Sequence, residues 1–399
     1  MPVFRYKAIN TEGVTAEGTL TAPGRREALD MLRQRQSHPV SLEEEKNRNI
    51  NLARNKSVKT KDLSVFCRQF YSMLNAGVNI LSCLDILKTQ LENKTLRDVT
   101  NDIYENVQKG LTLSEAMRRN EKVFPSLFLS MIVAGEVSGT LDNIMKRLAI
   151  HYEKEYKLNN KIKSALVYPI VLIVATVAVV IFMMTFVMPT YVELFEGSNV
   201  PLPVITSIVI GMSNFIRSYW YLLILAIALI VIAIKGYIQS TEGRRHMDEL
   251  KLKLPILKDL NEKIIAARFT RTMSTMMVSG IPLLQSLESV SGVVNNVVIK
   301  EGMGKIYDAV RGGKILSDPV RASGMFPPMV GNMIKIGEES GTMDDLLDKA
   351  ADFFDEEVDR SVQRLTTLFE PMMIVVMGVV IGFIVLAMYM PMFDMVKAF

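Results

Sequence analysis

A carboxylate stands twice in the same setting, in Gly135-Glu136-Val-Ser138-Gly139-Thr140 and in Gly337-Glu338-Glu-Ser340-Gly341-Thr342. The small residues suit a helix end followed by a new start. Gly139 and Gly341 fit left-handed stops, Thr140 and Thr342 fit caps, and Asp142 and Asp344 fall near the positive helix terminus. None of this requires Glu136 or Glu338. A carboxylate in an otherwise apolar helix needs a hydrogen-bonded or cationic partner. Three roles follow: a bond inside its own domain, a contact to another subunit or partner, or a metal ligand. A glutamate with only the first role is expected to tolerate glutamine.

The rest of the chain offers little chemistry. Gly312-Gly313-Lys314 has Ile315 where a phosphate-binding loop needs Ser or Thr, and Asp308 where its first glycine belongs. Its match to Lys109-Gly110-Leu111 makes it a helix-ending turn. His38, His151 and His246 have no partner at ligand spacing. Cys67 and Cys83 read as small apolar side chains on cytosolic helices. With no nucleophile–base pair and no HExxH motif, neither an enzyme nor a cofactor is expected.

An internal repeat shows what must position these residues. Phe66-Cys-Arg68 matches Phe269-Thr-Arg271 at an offset that also pairs Met73 with Met276, Gly77 with Gly280, Leu84 with Leu287 and Gly110 with Gly313. One residue then drops out. The new register pairs Phe124-Pro125 with Phe326-Pro327, the two Gly-Glu-x-Ser-Gly-Thr segments, Pro169 with Pro371, and Met188-Pro189 with Met390-Pro391. The chain is a duplicated unit, each copy a polar domain feeding into an apolar segment.

Each polar copy reads as a six-helix bundle, over 60–163 and 262–367. Leu63, Phe66, Cys67, Phe70, Tyr71 and Leu74 form one helix stripe, with Thr60 as its expected cap and Gly77 as its stop. Asn79 suits the cap of a second helix, and Thr112-Leu-Ser-Glu115 is a capping box. Val3–Leu20 alternates like a hairpin and Arg25–Gln36 is amphipathic, so 1–42 is expected to be a small α+β module. The polar, aperiodic stretch 43–59 reads as a linker.

Apolar residues make up 49% of the 399-residue chain and charged ones 22%, with a net charge of +4. That balance points to a membrane protein with substantial aqueous parts and gives no field for nucleic acid. Uncharged stretches at 164–192, 218–234 and 368–393, the last free of charge from Pro371, are read as transmembrane helices, since crossing about 30 Å takes about 20 residues. The segment 200–216, cut off by Arg217, is read as an interfacial helix. Met1–Asn10 has no apolar core, so no secretory signal is expected. Lys154, Lys157, Lys161 and Lys163 precede the first span and Lys235, Arg244 and Arg245 follow the second, whereas Glu193 and Glu196 lie between them. Positive flanks stay inside. The N-terminus and both bundles are expected in the cytoplasm and the C-terminus outside.

The repeated Phe-x-Arg with its following Met, Gly and Leu, the Phe-Pro, the Gly-Glu-x-Ser-Gly-Thr, the Ala387-Met-Tyr-Met-Pro391 ending and the Phe4-x-Tyr-Lys-Ala8 opening together resemble a known family. It is that of the inner-membrane platform proteins of type IV pilus and type II secretion machines (PilC/GspF). The resemblance covers essentially the whole chain. It implies a non-enzymatic, multi-pass platform of the bacterial inner membrane, homo-oligomeric and in contact with lipid. Its implied partners are a cytoplasmic hexameric ATPase, pilin or pseudopilin subunits and other inner-membrane assembly proteins. Pilus use is the expected one and secretion the alternative. A small-solute transporter is remoter, because both repeat copies lie on one side and the apolar stretches 164–192, 218–234 and 371–393 hold no charge.

Overall fold

The structure, a computed structural model, describes residues 3–10, 15–22, 24, 27, 29, 31, 37–44, 57–195, 203–294 and 296–398. The chain divides into two compact units, Met1–Ser57 and Val58–Phe399. In the first, strands β1 (Val3–Asn10), β2 (Thr15–Thr21) and β3 (Ser37–Glu44) form an antiparallel sheet of order β2-β1-β3. The hairpin over Val3–Leu20 is β1 and β2, with Val3 opposite Thr21. Strand β3 was not foreseen and runs into the stretch read as linker. Its register shifts where Pro39, with no N–H to give the ladder, faces Ala8. Most of 25–36 and of the linker lies outside the described residues.

The second unit begins with six helices: α1 (Thr60–Asn75), α2 (Ile80–Gln90), α3 (Lys94–Gln108), α4 (Leu113–Arg118), α5 (Ser126–Ser138) and α6 (Leu141–Ala165). Helix α1 buries Leu63, Phe66, Cys67 and Phe70 of the expected stripe. Its cap is Lys59, not Thr60, because Lys59 holds the extended backbone and its N–H reaches Asp62 at 2.9 Å. Asn79 caps α2 through the Ser82 N–H, and Thr112 with Glu115 closes the capping box on α4.

Six further helices repeat the pattern: α11 (Pro255–Val278), α12 (Leu283–Val293), α13 (Val297–Arg311), α14 (Ser317–Ser323), α15 (Pro328–Ser340) and α16 (Met343–Ala398). Each bundle has its own apolar core, but Met276 and Ile281 of the second copy are buried in the core of the first. An amphipathic helix not foreseen, α10 (Thr241–Lys253), precedes the second bundle.

Between the bundles run α7 (Val167–Phe182), a π-helical turn at Met183–Val187, α8 (Met188–Phe195) and α9 (Val204–Gln239). Among the described residues, three helices are long and apolar enough to cross a membrane: the run ending at Tyr191, α9, and the apolar half of α16. The segment read as a separate helix at 200–216 and the second span at 218–234 lie within Val204–Gln239 and meet at a kink at Tyr219 (φ −120°, ψ 20°). One arginine does not interrupt a helix, since its side chain leaves the backbone hydrogen bonds intact. Arg217 lies within this helix, just before the second span as read. Near Met184, Val209 and Ala387 the three spans share a small apolar core.

Candidate functional site

Both Gly-Glu-x-Ser-Gly-Thr segments end a helix in the same way. Gly139 and Gly341 are left-handed, with φ of 70° and 71°. The Gly139 N–H donates to the Glu136 carbonyl at 3.4 Å, and the Thr140 N–H donates to the Gly135 carbonyl at 3.0 Å. Thr342 does the same to Gly337 at 3.1 Å. These bonds satisfy helix-terminal carbonyls. Ser138 donates its hydroxyl to the Ala134 carbonyl at 2.7 Å and lies 2.7 Å from the Thr140 hydroxyl. Ser340 repeats this with Ile336 and Thr342 at 2.7 and 2.6 Å. Thr140 thus occupies the cap position but makes no side-chain cap, its hydroxyl being turned toward Ser138 instead.

Glu136 and Glu338 clamp the short helix that precedes each turn. Glu136 Oε1 accepts from the Leu113 N–H at 2.5 Å and Oε2 from the Ser114 N–H at 3.0 Å. Glu338 accepts from the Leu316 N–H and, at 3.1 Å, from the Ser317 N–H. A carboxylate on free first-turn amides neutralises orphan donors and meets the positive end of the helix. Both oxygens of each glutamate are engaged within its own bundle. Among the described residues, no group of three or more His, Cys, Asp and Glu is placed to hold a metal.

The first glycine of each segment has a role that the sequence did not disclose. A Cβ on Gly135 would lie 2.8 Å from Ile144 Cγ1, and one on Gly337 would lie 2.6 Å from the Met343 Cα. The next helix crosses there at backbone distance.

The Phe-x-Arg motif joins the first and last helices of each bundle. Phe66 packs 6.0 Å from Phe124, and Phe269 packs 4.6 Å from Phe326, so the two repeated phenylalanine motifs meet in both cores. Gly77 and Gly280 (φ 82° and 77°) turn the chain into the second helix of each bundle. Arg68 pairs with Glu153 on α6, and Arg271 pairs with Asp355 on α16 at 2.9 Å. Glu153 and Asp355 are equivalent in the internal alignment, which could have disclosed the pairing. Arg271 also reaches Asp348 and Asp352 at 2.7 and 2.6 Å. Burial works against its charge, but the hydrogen bond with Asp352 and the Asp355 carboxylate more than offset this and hold the guanidinium pKa above its ordinary value.

The two Gly-Glu-x-Ser-Gly-Thr segments remain in separate bundles, whereas Met276 of the second Phe-x-Arg motif enters the first core and Arg271 shares Asp352 with Lys154. Between the bundles runs a polar seam that sequence reasoning missed. Lys154 and Lys161 of α6 pair with Asp352 and Asp359 of α16, the first at 2.5 Å. Arg268 donates to Asn159 Oδ1 at 2.7 Å, and buried His151 lies 3.4 Å from the Thr275 hydroxyl.

Comparison with known proteins gives this geometry a setting. The sequence model described as "Type II secretion system (T2SS), protein F" matches residues 66–189 and again 269–391. The model described as "Type II secretion system protein F, N-terminal domain" matches residues 1–43. The chain is 36% identical to the type IV pilus assembly protein PilC of Thermus thermophilus, over 99% of this chain and 98% of that protein. It is also 36% identical to PilC of Pseudomonas aeruginosa, over 86% of this chain and 92% of that protein. To the type II secretion system protein F of Vibrio cholerae it is 29% identical, over 99% of this chain and 98% of that protein.

Proposed function

The chain belongs to the type II secretion system protein F family, and on that premise we propose that it is the non-enzymatic platform of a type IV pilus assembly machine in the bacterial inner membrane. It couples a cytoplasmic assembly ATPase to the insertion or extraction of pilin subunits. The observation that carries this reading is likeness to pilus assembly proteins along nearly the whole chain, at 34–36% identity against 28–32% for the secretion proteins. The equivalent role in type II secretion is the second reading, favoured by the family's description. With basic flanks inside, the N-terminus and both bundles face the cytoplasm and the C-terminus faces outward. The bundles supply the surface for the ATPase, where a standard interface takes ~800 Å² per partner. We assign that contact to the first bundle, 60–163, and read the protein as homo-oligomeric.

Deletion of the gene tests the assignment. Surface pili are expected to disappear while secreted enzymes stay at wild-type levels, with both the defect and its rescue tracking this chain alone. Intact pili with lost secretion would move the protein to the second reading. In vitro, the purified full chain is expected to retain the assembly ATPase and to hydrolyse no ATP by itself.

A further inference from the structure

The repeat carries its Met-Pro step, Met188-Pro189 and Met390-Pro391, into the spans and outside both bundles. Proline has no N–H, so inside a helix it deprives the carbonyl one turn earlier of its donor. Within a membrane no water replaces that donor, and the freed carbonyl needs another partner. Pro391 lies inside α16, where the regular spacing of four makes Ala387 the residue deprived. In the first copy the π-helical turn changes the spacing to five, since the Met188 N–H donates to the Met183 carbonyl. At that spacing Pro189 deprives Met184.

One helix answers both carbonyls. Thr206 of α9 donates its hydroxyl to the Ala387 carbonyl at 2.6 Å, and Ser213 donates to the Met184 carbonyl. The two hydroxyls stand two turns apart along one face, with fully buried Val209 between them. Met184, Met188, Ile384 and Ala387 close around this stripe. A serine or threonine in a helix ordinarily bonds a carbonyl one turn before it, as Thr185 and Thr190 do at 2.7 and 3.0 Å. Thr206 and Ser213 reach into the flanking spans instead, and each finds the carbonyl that a proline has freed. Beyond this stripe α9 has little hold on the chain. None of its most apolar window is buried, and the backbone kinks at Tyr219.

We propose that Thr206 and Ser213 form a releasable latch. It fastens the second span to both repeat copies at their proline-freed carbonyls. When it opens, the rest of α9 swings about Tyr219. A bond inside a helical ladder breaks only as the helix unwinds, whereas a side-chain hydroxyl lets go by a change of rotamer. Hydrogen bonds between membrane helices are individually weak, so two of them keep the latch closed at rest yet within reach of opening. Helix α9 lies outside the repeated segments 66–189 and 269–391, and the latch ties it to each copy by the same chemistry. Such a latch serves pilus assembly and secretion alike, so it stands apart from the choice between them.

The test uses the full chain in phospholipid–detergent micelles, unfolded with sodium dodecyl sulfate and followed by the fluorescence of Trp220, its only tryptophan. Thr206→Val is expected to lower the folding equilibrium constant about fivefold, or about 1 kcal/mol, and Ser213→Ala to do the same. Thr206→Ser keeps a hydroxyl and should stay near wild type. Restoring a backbone N–H is the decisive step. In a Pro391→Ala background Thr206→Val should cost less than about twofold, while Ser213→Ala keeps its full cost. Pro189→Ala should cancel Ser213→Ala and leave Thr206→Val costly. Release is read separately, from the distance between nitroxides on Lys163→Cys and Lys235→Cys, with the native Cys67 and Cys83 buried. The wild type should give one narrow distribution, which broadens when both hydroxyls are removed. A Thr206→Val cost that is absent, or equal with and without Pro391, overturns the latch. A distance distribution unchanged by loss of both hydroxyls overturns its release. No pilin or ATPase is present, so neither result bears on the platform reading, which the piliation test judges.

Discussion

Replacing Glu136 with glutamine is the most informative single change, because the structure gives it a magnitude. Both carboxylate oxygens accept backbone N–H groups, from Leu113 at 2.5 Å and from Ser114 at 3.0 Å. Glutamine keeps one acceptor and turns an NH2 donor toward the second amide. Leaving one donor unsatisfied costs about 1–3 kcal/mol, and losing the anion at the helix terminus adds roughly 0.3–1 kcal/mol. Glu136 is only half-buried, so the lower part of the summed range applies, about 2 kcal/mol. The expectation of near-neutral glutamine for a local role is thereby revised. A local role here means two engaged oxygens, which an amide cannot reproduce. In hydrogen exchange read by mass spectrometry on the full chain in detergent, the Leu113 and Ser114 amides should exchange roughly 30-fold faster, at tenfold per 1.4 kcal/mol. Peptides from α1 should be unchanged and serve as the control. Glu338→Gln should act in the same way on Leu316 and Ser317 alone. Exchange within about twofold of wild type, together with lost assembly, would refute the clamp and return both glutamates to a partner interface.

Gly337→Ala should lower thermal stability by about 2–3 kcal/mol, since its Cβ would press on the Met343 Cα at 2.6 Å. Gly341→Ala, strained by φ 71° but in open space, should cost about 1 kcal/mol. Equal shifts in melting temperature would contradict that order. Arg271→Ala leaves Asp348 and Asp355 without their cation while Asp352 keeps Lys154, and the loss should be about 3 kcal/mol. This is the low end of the range because Asp348 and Asp352 are 55% and 57% exposed. Arg68→Ala, at an exposed pair, should cost less than about 1 kcal/mol in the same denaturation assay. Burial pushes the Cys67 thiol far above its ordinary range, so the wild-type residue stays protonated and inert to maleimide at pH 8. Against that background, Asp102→Cys and Lys300→Cys should resist a membrane-impermeant maleimide in intact cells while Gly197→Cys reacts. Labelling at 102 from outside would reverse the orientation.

Local order was legible wherever one stretch of chain decides it. The Leu63–Phe70 stripe, the Asn79 cap and the Thr112–Glu115 box are set by residues within a turn or two of one another, and each stands where spacing put it. Errors arose where a distant or backbone choice decides. Thr60 and Lys59 compete for one cap, and the extended backbone at Lys59 settled it. The division read at Arg217 came from a side-chain charge, whereas the kink lies slightly further on, at Tyr219, where the backbone leaves the helical conformation. Strand β3 was hidden because its residues alternate poorly and its partner β1 lies far back in the chain. For the paired motifs, composition located Glu136 and Glu338, but only packing disclosed the amides they hold. The close crossing at Gly135 and Gly337 left no trace in spacing, because a glycine that ends a helix and a glycine that admits a neighbour look alike in sequence.

The seam between the bundles was the least legible part, and the reason is physical. Repeat comparison finds what two copies share, whereas contact between copies depends on what they no longer share. In the internal alignment, Lys154 stands opposite Glu356 and Lys157 opposite Asp359. The last helix of one copy has become basic and that of the other acidic. Identical copies would set a lysine against Lys161, because Asp359 stands opposite Lys157 in the alignment, and like charges brought together at an interface are costly. Sign reversal there gives Lys161–Asp359, while Lys154–Asp352 arises where the first copy has the apolar Ile150. Each such exposed pair contributes at most about 1 kcal/mol, too little to hold the bundles together. Burial of Met276 and Ile281 in the first core supplies the attraction, and the ion pairs exclude alternative registers. Adhesion and register thus rest on different residues, so a charge reversal at Lys154 should shift how the bundles seat before it separates them.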